Sequence, residues 1–404
     1  MFVFLPRILL YVAFFLLPFT FLKLYDNLHI SDLLIIISFL IIAISTAGKK
    51  FLLEKVLFKN IFLIPILIFS LGFLLSINRS ILPYESITAY LQVVFIFLFA
   101  YPLLQEIILN QKQIKIIATM LVLPGIFISI IMIMLKILSI DIGIDLLAME
   151  GWGGRLSYGG MEPSIPGRII LQNIPFLAIF ILTTKNNINK ILSILLILLQ
   201  SLAIFLTASR STFLTFILGL ILFLIFLVKS SCKIRVHYFI SIMLISILII
   251  VITYHFNAEY FIQPLERYST ILHIDKSPSS LQRLQVIDRG FNYINRNPFI
   301  GLGMENSYLY TKISLHNPIL LAWLENGIFG IIGFSSLYCI LLYNGFRSYR
   351  NKFYGSYLLL GLTVIMAMMV FGDMFMANSY KRVLWLPSLL MLVYAQIFSK
   401  RIKN

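Results

Sequence analysis

His316 lies in Leu315-His316-Asn317-Pro318, directly before an apolar run. Asn317 is suited to cap a helix and Pro318 to open it. Together they would hold the imidazole at a helix N-terminus, where the dipole disfavours imidazolium. A ring kept neutral there can take a proton from an incoming hydroxyl. An imidazole that only bonds to water or lipid at a membrane surface would fit the same residues. Arg210, in Thr207-Ala-Ser-Arg-Ser-Thr212, is the second group of interest. A guanidinium in so short a turn between apolar runs would grip a phosphate bidentately or merely snorkel to the interface.

Further cations stand nearby in sequence. Arg267, Arg283 and Arg289 precede His316, and Arg155 and Arg168 lie further upstream. Each alone is adequately explained as a surface charge paired with an acid. Arg168 and Gln172, four apart, share one helical face and could line a polar cavity. Several arginines with one histidine suit a diphosphate-bearing substrate. No metal-ligand spacing, Asp-x-Asp pair or G-x-x-x-x-G-K-[ST] loop accompanies them. The reading is therefore no metal, no cofactor and no direct use of ATP; any substrate arrives already activated. Cys232 and Cys339 form no disulfide framework.

The elements that must position these groups follow from composition. Of 404 residues, 60 % are hydrophobic and 12 % charged, and the mean hydropathy is +0.96. Soluble domains carry about 25 % charged residues, so the composition excludes a cytosolic enzyme, a secreted disulfide module and a disordered chain. Runs long enough to span a bilayer fall at 8–22, 31–47, 60–77, 84–104, 114–138, 167–184, 191–208, 211–228, 236–254, 317–343, 355–373 and 382–399. The expectation is an all-α integral membrane protein of about 12 transmembrane helices. The first run lacks a cleavage site and reads as the first span.

Charge orients the spans. Segments on the N-terminal side hold 18 of the 32 basic residues, opposed only by Glu54 and Glu106, so the whole net charge of +16 lies on one face. The positive-inside rule makes that face, and both termini, cytoplasmic. These cations lie in short loops near anionic lipid, which argues against a nucleic-acid partner.

Two segments on the opposite face are long, about 139–166 and 255–315. This divides the chain into spans one to nine (1–254), an external loop (255–315) and spans ten to twelve (316–404). Long connections in compact proteins tend to be functional. Within the larger loop, apolar residues at 281, 284, 287, 291 and 294 predict an amphipathic helix on the membrane or over a cavity. Arg283 and Arg289 fall off that stripe. Asn297-Pro298 breaks the helix, and Gly301-Leu-Gly303 follows as a turn.

These residues carry a resemblance. His316-Asn-Pro-Ile-Leu-Leu-Ala-Trp-Leu-Glu-Asn-Gly-Ile-Phe-Gly330 resembles the H-N-x-x-L…E-x-G-x-x-G signature of the O-antigen ligase and polymerase superfamily. Leu206-Thr-Ala-Ser-Arg-Ser211 resembles its L-T-x-S-R segment, and Asn297-Pro-Phe-Ile-Gly-Leu-Gly303 its P-x-x-G-x-G turn, with Arg283 matching the upstream arginine. The resemblance covers roughly 200–330 closely. It implies a metal-independent GT-C-type glycosyltransferase with a large periplasmic loop between helices nine and ten. Its donor would be a glycan on undecaprenyl diphosphate, and its acceptor the lipid A–core, at the periplasmic face of a bacterial inner membrane. It implies His316 as base and Arg210 and Arg283 as diphosphate ligands. Arg289 is added as a further expected ligand, with Arg168, Arg267, Arg155 and Asn317 in lesser roles.

Neighbouring readings remain. O-antigen polymerases use the same donor, and some carry R-x15-G repeats. Here the residues sixteen places after Arg155, Arg267, Arg283 and Arg289 are Leu171, Arg283, Phe299 and Glu305, which leans toward a ligase. A relative that transfers glycans to protein serines often has a longer soluble tail. A twelve-span transporter or flippase would more commonly have its long connection inside and show an internal repeat, and neither feature is evident.

Overall fold

The computed structural model describes residues 4–19, 22–25, 28–45, 48–137, 162–229, 244, 251, 258–271, 278–313, 315–350, 364, 367–372, 374 and 382–401. They are overwhelmingly helical: α1 (Phe4–Leu16), α2 (Ile30–Ile44), α3 (Leu63–Ser76), α4 (Pro83–Ile107), α5 (Gln111–Ile137), α6 (Ser164–Thr183), α7 (Asn187–Leu206), α8 (Arg210–Lys229), α9 (Ala258–Ser269), α10 (Pro278–Arg296), α11 (Ser307–Thr311), α12 (Pro318–Arg350) and α13 (Arg382–Arg401). A two-stranded hairpin, β1 (Lys23–Tyr25) and β2 (Leu28–His29), joins α1 to α2.

Among the described residues, four helices are long and apolar enough to cross a membrane, and a fifth candidate is the pair Phe51–Phe58 and Leu63–Arg79, bent by 69°. Shorter apolar helices flank them. This is an all-α membrane protein. Ten of the expected runs overlap described helices, in whole or in part. The run at 236–254 lies almost entirely outside the described residues, and that at 355–373 largely so.

Side chains from most of these helices merge in one core, with Phe62, Phe69, Phe97, Tyr101, Phe334 and Trp385 buried. Edge-on aromatic pairs knit it together, such as Phe97 with Trp385 at 4.9 Å between ring centroids. The most extensive packing joins α3 to α12. A Cβ at Gly72 would come within 2.6 Å of the Asn326 carbonyl oxygen. Small residues permit that approach of two membrane helices.

α12 is broken at Gly327 (φ 64, ψ −158), a left-handed value natural to glycine. The break frees carbonyls that the helix would otherwise use. Leu302 N donates to Leu324 O at 3.0 Å and Gly303 N to Glu325 O at 2.9 Å. Trp323 Nε1 donates to Pro298 O at 3.0 Å. The two glycine-bearing motifs thus form one contact, in which the 298–303 turn lies across the broken helix. Asn306 fixes the far end of this turn. Its Oδ1 accepts from the backbone nitrogens of Ile81 and Leu82, each at 2.9 Å. Its Nδ2 lies against Ser80, Ser86 and the Met304 carbonyl.

The helix expected over 280–294 is present as α10, but its buried stripe differs. Leu281, Leu284 and Phe291 are 45 %, 50 % and 43 % exposed, while Val286 and Ile294 are 2 % and 1 %. The inward face is 283, 286/287, 290 and 294. Gly290 on it faces Leu315 and Leu324. The helix has apolar residues on two faces, and packing against α12 selects the one that also carries Arg283.

Candidate active site

The turn between α7 and α8 is the floor of the site. Ala208 takes φ 50, an uncommon and mildly strained conformation for a residue with a Cβ. Ser209 directly precedes α8, its carbonyl accepting from Phe213 N at 2.9 Å. Arg210 is therefore in the first turn of a helix, where the dipole opposes a cation. Such a placement favours capture of an anion, for which helix N-termini are prepared sites.

α9 locks this turn from outside. Arg267 Nε donates to Ala208 O at 3.1 Å, and the Tyr268 hydroxyl to Phe205 O at 2.8 Å. The Tyr268 ring stacks on Phe213 at 4.3 Å. Arg210 Nη1 donates to Thr270 Oγ1 at 3.1 Å. Arg267, a lesser candidate from sequence, is thus joined to Arg210 through the strained turn and its neighbour Thr270.

α10 brings Arg283 to the same place. The charges of Arg267 and Arg283 both act on Arg210. Burial lowers the Arg283 guanidinium from its ordinary value, and Arg267 adds to that, while Glu162 opposes it. Burial likewise lowers Arg267. Three guanidinium groups that repel one another and lose hydration are a poor arrangement unless an anion joins them.

His316 completes the group at the mouth of α12. Asn317 Oδ1 accepts from Ile319 N at 3.1 Å and Leu320 N at 2.9 Å, so Asn317 caps the helix that Pro318 opens. Burial, and then the Arg283 charge, bring the imidazole down to about 4 against the upward pull of Glu162. At neutral pH the ring is uncharged and able to accept a proton.

Glu162 was not singled out from sequence. It precedes α6 and acts electrostatically on both Arg283 and His316. The start of α6 is packed against that of α8, with Thr212 Oγ1 donating to Ser164 O at 3.3 Å. Glu162 lies about 150 residues from His316 in sequence and in none of the recognised motifs. Only the tertiary fold reveals the pairing.

Other expected residues fall elsewhere. Arg289 is exposed on α10, and its Nη1 donates to Thr311 O at 3.2 Å. It is not brought to the cluster, because two residues six apart on a helix point to different faces, and the inward face is the one that carries Arg283. Arg168 is buried on α6, with its guanidinium against Gly372. Arg155 lies outside the described residues. Among those residues, no three His, Cys, Asp or Glu side chains converge as a metal site would require.

The fold and this cluster define an all-α membrane protein with a cationic, histidine-bearing site built where three helices begin. Residues 194–335 match the sequence model of the O-antigen ligase family, a stretch that contains Arg210, Arg267, Arg283 and His316 but not Glu162. Over that stretch the chain is similar to the O-antigen ligase family. No curated protein matches the chain.

Proposed function

We propose that this protein is an O-antigen ligase of GT-C-type architecture. It would have about twelve spans, with both termini cytoplasmic and the loop over 255–315 on the periplasmic side of a bacterial inner membrane. It transfers a polysaccharide from undecaprenyl diphosphate to a sugar hydroxyl of the lipid A–core, without a metal. The observation that carries this reading is the convergence of neutral His316 with Arg210, Arg267 and Arg283.

The chemistry follows from those groups. The acceptor hydroxyl attacks the anomeric carbon as its proton passes to His316. The bond from that carbon to the diphosphate oxygen breaks, and its electron pair leaves with undecaprenyl diphosphate. Fixed guanidinium groups stabilise the charge that develops on the leaving group. Attack from the face opposite the leaving group inverts the anomeric centre. Glu162, which acts electrostatically to raise His316, supports the imidazolium formed in the transition state.

Deleting the gene tests the reaction. Long polymers stranded on the carrier, with uncapped lipopolysaccharide, are expected. Single repeats on the carrier, with at most one unit on lipopolysaccharide, would instead make it a polymerase. An unchanged carrier pool would remove both readings. Loss of protein-linked glycan with normal lipopolysaccharide would indicate transfer to protein.

A further inference from the structure

Away from the cluster, α5, α6 and α7 enclose polar side chains at a depth where membrane helices are normally apolar. Gln200 is 0 % exposed, Asn173 3 % and Ser201 6 %. Among the described residues, neither Nε2 nor Oε1 of Gln200 has a hydrogen-bond partner, nor has Asn173 Nδ2 or Ser201 Oγ. An unsatisfied buried amide is expensive, the more so in hydrocarbon. Polar residues at such depth generally face a partner or a water-filled cavity.

Their geometry is specific. A Cβ placed on Gly125 of α5 would sit 1.7 Å from Asn173 Nδ2 and 3.6 Å from Gln200 Nε2. Two amide donors, one from α6 and one from α7, therefore converge on the same point of the α5 backbone. Only a residue without a side chain leaves room for them. The Gly125 carbonyl is occupied by Ser129 Oγ at 2.7 Å and so does not serve them. Converging donors ask for an acceptor, while Gln200 Oε1 and Ser201 Oγ beside them ask for a donor. Water satisfies both demands with the three or so bonds typical of a buried molecule. A cation would be repelled by the donors, and an anion has no charge here to meet it.

A small cavity continues from Asn173, lined also by Gln172, Phe176, Leu121, Leu17 and Pro387. A second lies on the other flank of Gln172, lined by Arg168, Thr215, Met368 and Met369. Arg168 and Gln172 lie one turn apart on α6, and Asn173 adjoins Gln172, so polar lining runs from near the start of α6 down to Asn173 and Gln200.

We propose that α5, α6 and α7 hold a water-binding seam inside the membrane, centred between Asn173, Gln200 and Gly125. The seam hydrates the amides and gives the guanidinium of Arg168 a polar flank below the outer surface. It is independent of the reaction assigned to the cluster.

Radiolytic footprinting of the full-length protein in detergent or nanodiscs tests this directly. Hydroxyl radicals generated from bound water oxidise the side chains beside it, whether or not bulk solvent has access. Phe176, which lines the cavity with Asn173, is compared with Phe97, equally buried in the apolar core. Phe176 should be oxidised several-fold faster, and Gln200→Leu or Asn173→Leu should bring it down to the rate of Phe97. Equal rates in the unmodified protein would overturn the proposal, as would a fast Phe176 rate unchanged by a folded Gln200→Leu or Asn173→Leu variant. The comparison within the unmodified protein stands even if neither variant folds. Glycan transfer is not the readout, so failure here is separate from failure of the proposed function.

Discussion

At the scale of single residues the neutral imidazole of His316 carries the sharpest consequences. His316→Ala should lower transfer by about 10²–10⁴-fold, the usual contribution of a general base, with membrane levels unchanged by immunoblot. Arg210→Ala and Arg283→Ala should each remove about 2–4 kcal/mol of transition-state stabilisation. Lysine should restore little, because an ammonium lacks the planar fork. The value of His316 is lowered to about 4, below its ordinary 6.5. The free base is then present above that value and lost as pH falls through it. The acid limb of kcat/KM should accordingly lie nearer 4 than 6.5. Glu162 raises the imidazole value, so Glu162→Gln should move that limb lower still, and an upward shift would remove Glu162 from the site. What could be read beforehand at this scale was local. The cap at Asn317 and the position of His316 follow from four adjacent residues, and Arg210 from one short turn. The apolar pattern alone did not separate Arg283 from Arg289, since both lie off the stripe that the sequence displays; packing chose the face of α10 that carries Arg283.

At the scale of elements, the loop before α12 is held by backbone contacts that composition cannot reveal. Asn306 is 0 % exposed and serves two separate segments. Asn306→Ala would strand several buried polar groups at about 1–3 kcal/mol each. Thermal unfolding in detergent should show a large drop, and transfer should fall with it. Tyr268→Phe keeps the ring stack and removes only the bond to Phe205 O, so a loss of about 0.5–1.5 kcal/mol is expected in the same measurement. A Cβ at Gly327 would meet Phe299 O at 2.1 Å. Gly327→Ala should therefore reduce folded protein more than either. The helices themselves were readable from runs of apolar residues. The break at Gly327 was not, because a glycine within an apolar run is compatible with a straight membrane helix.

At the scale of the whole molecule, the apolar composition and one-sided charge carry the membrane assignment and the orientation expected for it. Reporter fusions should place the loop containing Lys185 and Lys190 in the cytoplasm and the α9–α10 segment outside. Purified protein should transfer glycan equally well with and without EDTA; dependence on a divalent ion would overturn the proposed mechanism. The cluster draws on residues from 162 to 316, and the family match covers 194–335. Motifs recover the portion of a site that lies within the matched stretch of chain, and the tertiary fold must supply Glu162.

The seam between the 298–303 turn and the broken helix has a consequence for anyone redesigning this protein. Main-chain bonds from Leu302 and Gly303 to Leu324 and Glu325 set the loop register to the residue. One amino acid inserted between Gly303 and Asn306 would pull either those bonds or the Asn306 anchor out of step. Loop grafting across this junction is therefore a poor route to altered glycan preference. Side-chain exchange around the cluster, on a backbone left untouched, is the better one.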